Sequence, residues 1–183
     1  MMVSGNGGCN YLTPASGGEK VYLEHFQEIL KELQKAVEEV YGQRLVTLAV
    51  FGSVGRNTPR PDSDIDLLIV ADDLPPGRIR RVREFDLVEK KLQPLLERMR
   101  QDGIETSLSP LLKEPGDVLK GSLIFLDMLD DARILYDKNS FFRNYLTGLR
   151  KRLDELGAKK VYRGGVWYWV LKEKYEPGEE FEI

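Results

Sequence analysis

Two short stretches, Leu45–Phe51 (LVTLAVF) and Ile65–Val70 (IDLLIV), constrain the fold more than anything else in this chain. A run this short, this apolar and this rich in β-branched residues reads as a strand covered on both faces. Covering both faces takes helices, and the flanking sequence supplies them. From Glu19 to Tyr41, Phe26, Ile29, Leu30, Leu33 and Val37 recur in steps of three and four, which predicts an amphipathic helix stopped by Gly42. Arg78 to Arg100 has the same period, with a kink or a break expected at Pro94. Beyond Gly103, Ile104–Leu112 reads as a third strand, Asp117–Leu129 as a short helix, Arg133–Tyr136 as a short strand and Phe141–Leu156 as a last helix. Lys160–Arg163 and Val166–Leu171 flank Gly164-Gly165, a loop suited to a tight hairpin. The order predicts an α/β (α+β) fold, with a short mixed sheet flanked by helices and a small C-terminal helix plus β-hairpin.

At 183 residues the chain has room for one domain with a small appendage. The glycine-rich start, residues 1–18, reads as a flexible tail, 19–137 as the domain and 138–183 as the extension. Lys and Arg number 27 against 30 Asp and Glu, so no general coat of basic charge is available for nucleic acid. A single cysteine, Cys9, excludes a disulfide framework, and a single histidine, His25, excludes paired-histidine metal sites. Any chemistry must use carboxylates, hydroxyls, backbone amides and Arg or Lys. No stretch approaches the roughly 20 apolar residues that span a bilayer, so the expectation is a cytoplasmic protein with no membrane partner.

The candidate chemistry lies between the two apolar strands. Asp64 and Asp66 are two residues apart, so on a strand they share a face and can converge on a hard cation. Mg²⁺ takes oxygen ligands at about 2.1 Å and suits a site shared between carboxylates and substrate phosphates. Alone, the tripeptide also reads as the solvated entrance of a strand. Gly52-Ser53, where the first strand ends, offers backbone N–H groups and a hydroxyl to an anion, and glycine lets a phosphate approach the backbone. Arg56 and Arg60, on the connecting loop, either neutralise phosphates or are solvated.

Taken together, Gly52-Ser53, ten intervening residues and Asp64-Ile-Asp66 in an apolar strand resemble the signature of the DNA polymerase β-like nucleotidyltransferase superfamily. The closer likeness is to its minimal nucleotidyltransferase group, over about Glu19 to Asp137. The resemblance implies a third carboxylate from a later strand, best matched by Glu105, with Asp102 in reserve. It implies Asp64, Asp66 and Glu105 as catalytic and metal-holding residues, and Gly52, Ser53 and Arg56 as nucleotide-binding ones. The implied cofactor is Mg²⁺ or Mn²⁺. The implied reaction moves a nucleoside monophosphate from a nucleoside triphosphate, ATP first, to an acceptor hydroxyl, with release of pyrophosphate. Small members of the group act with a helical HEPN-type partner as toxin–antitoxin pairs, which makes protein adenylylation one expectation.

The rival expectation is a non-catalytic module that binds a nucleotide or a protein on the same fold; a third is polymerisation of nucleic acid. The segment from Arg143 to Lys174 holds nine Lys or Arg against three acids around Trp167, Tyr168 and Trp169. Such interleaving can stack bases, but alternation on a hairpin explains it as core packing. Nucleic acid is therefore a partner the sequence does not indicate. Arg78, Arg80, Arg81 and Arg83, at the start of the second long helix, read as a solvated face.

Overall fold

The two apolar runs become the central strands of the sheet. The fold is seen in a computed structural model that describes residues 17–163 and 166–172. In chain order the elements are α1 (Gly17–Tyr41), β1 (Leu45–Phe51), α2 (Gly52–Gly55), β2 (Ile65–Ala71), α3 (Arg78–Gln101), β3 (Leu108–Lys113), α4 (Pro115–Leu119), α5 (Ile124–Asp131), β4 (Arg133–Asp137), α6 (Phe141–Leu156), β5 (Lys159–Arg163) and β6 (Val166–Val170). The first four strands form one sheet in the order β3-β2-β1-β4. β1 is antiparallel to both β2 and β4, while β3 runs parallel to β2, so the sheet is mixed as expected.

Alternation along the central strands divides the core into two layers. Leu48, Val50, Leu67 and Ile69 pack with Phe26, Ile29 and Leu33 of α1 and with Phe85 and Val88 of α3. On the other face Ala49, Leu68 and Val70 pack with Phe125 and Met128 of α5 and with Phe142, Leu149 and Leu153 of α6. Each such large side chain contributes roughly 1.5–3 kcal/mol by leaving water. Thr47, fully buried in β1, donates to Asp137 Oδ1 at 2.9 Å, and Asp137 also accepts from the Phe142 and Arg143 N–H groups that open α6. The last helix is thus tied to the sheet by packing and by its cap.

Three elements differ from their sequence expectation. α3 runs on through Pro94. Its buried stripe, Phe85, Val88, Leu92 and Met99, continues on both sides of the proline, and that packing carries the helix past the hydrogen bond a proline removes. The helix expected over Asp117–Leu129 is two helices, α4 and α5, parted at Gly121, whose φ is +80°. β3 starts at Leu108, not Ile104. Ile104 is buried, and its N–H donates to the Met99 carbonyl at 2.9 Å, so it belongs to the turn that ends α3.

β5 and β6 form the expected antiparallel pair, with Tyr168 exposed and Trp169 packed toward the second layer. Their connecting Gly164-Gly165 lies outside the described residues, as does the expected tail up to residue 16. No helix among the described residues is long and apolar enough to cross a membrane.

Candidate active site

The antiparallel register of β1 and β2 sets Phe51 opposite Asp66, so the chain leaves β1 at Gly52 beside a carboxylate. Gly52 has a φ of +66°, and a Cβ built on it would lie 2.5 Å from Asp66 Oδ2. Glycine is needed twice here, for the left-handed backbone and for the carboxylate that fills the space a side chain would take. Gly55 is equally confined: its Cβ would lie 2.2 Å from the Asp131 carbonyl oxygen. The short turn of α2 is therefore pinned between the end of β1 and the end of α5. Beyond it, the Thr58 N–H donates to the Ser53 carbonyl at 2.9 Å, and the Arg60 N–H donates to Ser63 Oγ at 2.9 Å. These bonds return the loop to β2 in a fixed shape.

Asp64 is exposed and Asp66 half-buried at the start of β2. Burial, and then the charge of Asp64, push the Asp66 carboxyl above its ordinary value, against a hydrogen bond from Ser109 and the nearby Arg56 guanidinium. The neighbouring strand supplies hydroxyls at this level. Ser109 stands beside Asp66 in the parallel β2–β3 register. One step outward, the Ile65 N–H donates to the Ser107 carbonyl at 2.9 Å, and Ser107 Oγ donates to Asp64 Oδ1 at 2.6 Å.

Glu105 lies another ladder step out, exposed, with its N–H on the Pro61 carbonyl at 2.8 Å. The structure does not bring it into a group with Asp64 and Asp66. Among the described residues, no three of His, Cys, Asp and Glu come together in a way that could hold a metal ion. The reason is register: the chain reaches the level of the acids two residues after Glu105, and serines stand there. Asp102 sits in the turn after α3, with its carboxylate 3.7 Å from His25 Nε2.

With this geometry in view, two comparisons bear on the chain. The family model for the nucleotidyltransferase domain matches residues 26–115. A Methanocaldococcus jannaschii protein named "putative protein adenylyltransferase" is 34% identical over 125 residues, which is 67% of this chain and 79% of that protein. The chain belongs to the nucleotidyltransferase family. Solved structures similar to this nucleotidyltransferase include a toxin–antitoxin with AMP-PNP, at 17% identity and a TM-score of 0.42, covering 69% of this chain and 91% of that one. A Sulfolobus solfataricus structure described as that of a "putative nucleotidyltransferase" gives 19% identity and a TM-score of 0.40, covering 69% of this chain and 95% of that one.

The matched region of the nucleotidyltransferase contains Gly52, Ser53, Arg56, Asp64, Asp66 and Glu105, together with the two serines. Arg56 is ion-paired through Nη1 to the Asp131 carboxylate on α5, close enough to Asp66 to favour its charged form. Arg60 is exposed, with its Nε 3.5 Å from Asp62. Sequence reasoning missed Ser107, Ser109 and Asp131. For the serines a signal existed, since Ser107-x-Ser109 repeats the two-residue spacing of Asp64-x-Asp66 on the next strand. For Asp131 there was none, because its meeting with Arg56 joins positions 75 residues apart. The donor set suits a hard divalent cation: two carboxylates on one strand face, open to solvent at Asp64, of the kind Mg²⁺ takes when substrate phosphates complete its shell.

Proposed function

We propose that this nucleotidyltransferase transfers a nucleoside monophosphate from ATP to an acceptor hydroxyl, with a divalent cation held by Asp64 and Asp66. The observation that carries the reading is the β1–β2 register, which sets Asp66 beside the Gly52 turn, with Asp64 two residues before it in the chain. A turn that offers backbone N–H groups and a hydroxyl next to a carboxylate pair suits a metal–triphosphate, with the anion on the turn and the cation on the acids. Ser53 and the turn backbone seat the outer phosphates. Arg56, steadied by Asp131, offsets their charge. Bound there, the cation supplies charge neutralisation on the phosphates and acidifies the attacking hydroxyl. The acceptor oxygen bonds to the α-phosphorus, the bridge to the β-phosphate breaks, pyrophosphate leaves and the hydroxyl proton passes to water. The name of the Methanocaldococcus jannaschii relative favours a protein hydroxyl as acceptor. A helical HEPN-type protein, implied by the sequence resemblance, is the first acceptor to try, and a reduced cytoplasmic setting suits a chain with one cysteine.

Glu105 is left out of the metal set because the lead-in to β3 holds it a ladder step outside the pair. That same gap favours the second reading, a binding module without transfer. ATP labelled at the α-phosphate and ATP labelled at the γ-phosphate separate the two. Transfer predicts that the α-label appears on an acceptor in a lysate or on a co-expressed partner, while the γ-label is released as pyrophosphate. Label from neither position, across Mg²⁺ and Mn²⁺ and with the nucleotide demonstrably bound, would leave the binding module.

A further inference from the structure

Across from the acids, β3 and its lead-in present a second pair with the same two-residue spacing, made of hydroxyls. Ser109 is level with Asp66, and Ser107 is level with Asp64. Residues level with one another on paired strands point to the same face, so four side chains form a two-by-two patch in which each carboxylate has a serine beside it. Ser107 Oγ donates to Asp64 Oδ1 at 2.6 Å, and Ser109 stands level with Asp66 on the neighbouring strand.

We infer that Ser107 and Ser109 are positioning residues that hold Asp64 and Asp66 in metal-ligating orientation, where the described residues bring no third carboxylate into the group. The inference rests on the reading of Asp64 and Asp66 as the metal site. A carboxylate has two oxygens, with about four lone-pair directions, and rotates in a broad two-fold well. A hydroxyl bonded to Asp64 Oδ1 removes that rotation and leaves Oδ2 for a cation. A neutral donor does this without adding a third negative charge to a pair that already repels. Asp66 is half-buried with Asp64 beside it, so a third acid would add to the cost of holding both charged. The patch carries two charges, matched to a single divalent cation, and relies on the triphosphate for the remaining ligands. Its metal should therefore enter with the nucleotide, not ahead of it.

The test is Mn²⁺ binding, followed by electron paramagnetic resonance in the presence of a non-hydrolysable ATP analogue. The variants are Ser107→Ala, Ser109→Ala, the double alanine, the matching threonine variants and Asp64→Asn with Asp66→Asn. Both serines are exposed, and thermal unfolding without metal checks that each variant folds. Removing the hydrogen bond to the Asp64 carboxylate should weaken Mn²⁺ binding roughly tenfold in Ser107→Ala, and Ser109→Ala, level with Asp66, should weaken it by a smaller factor. Threonine keeps the hydroxyl and suits a strand, so it should restore binding to within a few-fold. A role in folding alone would lower the unfolding temperature and leave the Mn²⁺ midpoint in place. If the asparagine pair abolishes Mn²⁺ binding while the double alanine binds like wild type, the serine inference is overturned and the metal site stands. If the asparagine pair also binds like wild type, the metal-site reading itself fails, and the inference with it.

Discussion

Two pairs of acids close opposite ends of the β2–β3 ladder, and the chain treats them differently. At the C-terminal end, Glu114 and Asp117 meet Arg81, whose guanidinium donates to Asp117 Oδ2 at 3.0 Å and to Glu114 Oε2 at 3.2 Å. The same side chain donates to the Pro75 and Leu112 carbonyls, so it joins α3, the edge strand and the start of α4. The Glu114 and Asp117 carboxylates also accept from each other's backbone N–H groups, a capping box for α4. At the N-terminal end, Asp64 accepts the Ser107 hydroxyl, Ser109 stands level with Asp66, and the nearby Arg56 guanidinium is committed to Asp131. The protonation states follow suit. Hydrogen bonding from Arg81 holds Asp117 below its ordinary value, while burial and Asp64 hold Asp66 above its own. An acid pair with its counter-charge built in is part of the architecture. One left short of positive charge is suited to receive it from outside.

The sharpest way to break this contrast is to remove the charge of the second pair. Asp64→Asn with Asp66→Asn should lower nucleotide transfer by orders of magnitude while raising the unfolding temperature of the metal-free protein, because two like charges at a half-buried edge disappear. Differential scanning calorimetry beside a transfer assay checks both. A variant that loses activity and stability together would mean that the acids support the fold, as the other pair does.

The mirror experiment is Arg81→Met, which keeps the length of the stem and removes the donors. Its side chain is only 17% exposed, so Glu114, Asp117 and the Leu112 carbonyl lose a shielded partner. Loss of hydrogen bonds to charged groups should cost about 2 kcal/mol, and the unfolding temperature should fall by roughly 4–8 °C in a chain of this size. Transfer assayed well below that temperature should be unchanged. A large fall in activity with little change in stability would show that the two ends are coupled.

The sequence made one end of this comparison legible and left the other dark. Gly52-Ser53 and Asp64-x-Asp66 lie within fifteen residues and sit on strands whose apolar runs announce them, so local pattern sufficed for their place in the fold. The two core layers were readable for the same reason, since α1, α3 and α6 carry their buried stripes at helical period. What depended on register was not readable. Expecting β3 to start at Ile104 placed Glu105 at its head, whereas the turn through Gly103 and Ile104 consumes those residues and moves the strand four positions on. Arg81 read as one member of a solvated basic cluster because its partners lie more than thirty residues away. Pairings across such distances are set by packing, which a single sequence does not display.

That misplacement gives a smaller test. Glu105→Gln removes one exposed charge from the loop outside the acid pair, and if the pair works with its serines, transfer should fall by no more than a few-fold. The Mn²⁺ midpoint should stay in place. A loss comparable with that of the Asp64 and Asp66 variants would bring Glu105 back as a third metal ligand and require the β3 lead-in to rearrange when the nucleotide binds.

The smallest effect is a pair of opposite pH signatures in the metal-free protein, and it compares the two ends most directly. The folded state holds Asp117 below the ordinary 3.8, so there it binds fewer protons than the unfolded chain. The stability this acid contributes is complete above 3.8 and fades as pH falls through the lowered folded value. Asp66 is held above 3.8, so the folded state binds its proton more tightly than the unfolded chain does. Its contribution is complete below 3.8 and is lost as pH rises through the raised folded value. Urea unfolding of wild type, Asp117→Asn and Asp66→Asn across the acid range reads both. The advantage of wild type over Asp117→Asn should shrink toward low pH, whereas the advantage of Asp66→Asn over wild type should grow as pH rises from 3.8. Parallel curves for all three proteins would mean that neither carboxyl titrates differently on folding, and the electrostatic distinction between the two ends would go with them. Curves that bend the same way for both variants would place Asp66 among the neutralised acids, and an internal cation would then have to be found for it.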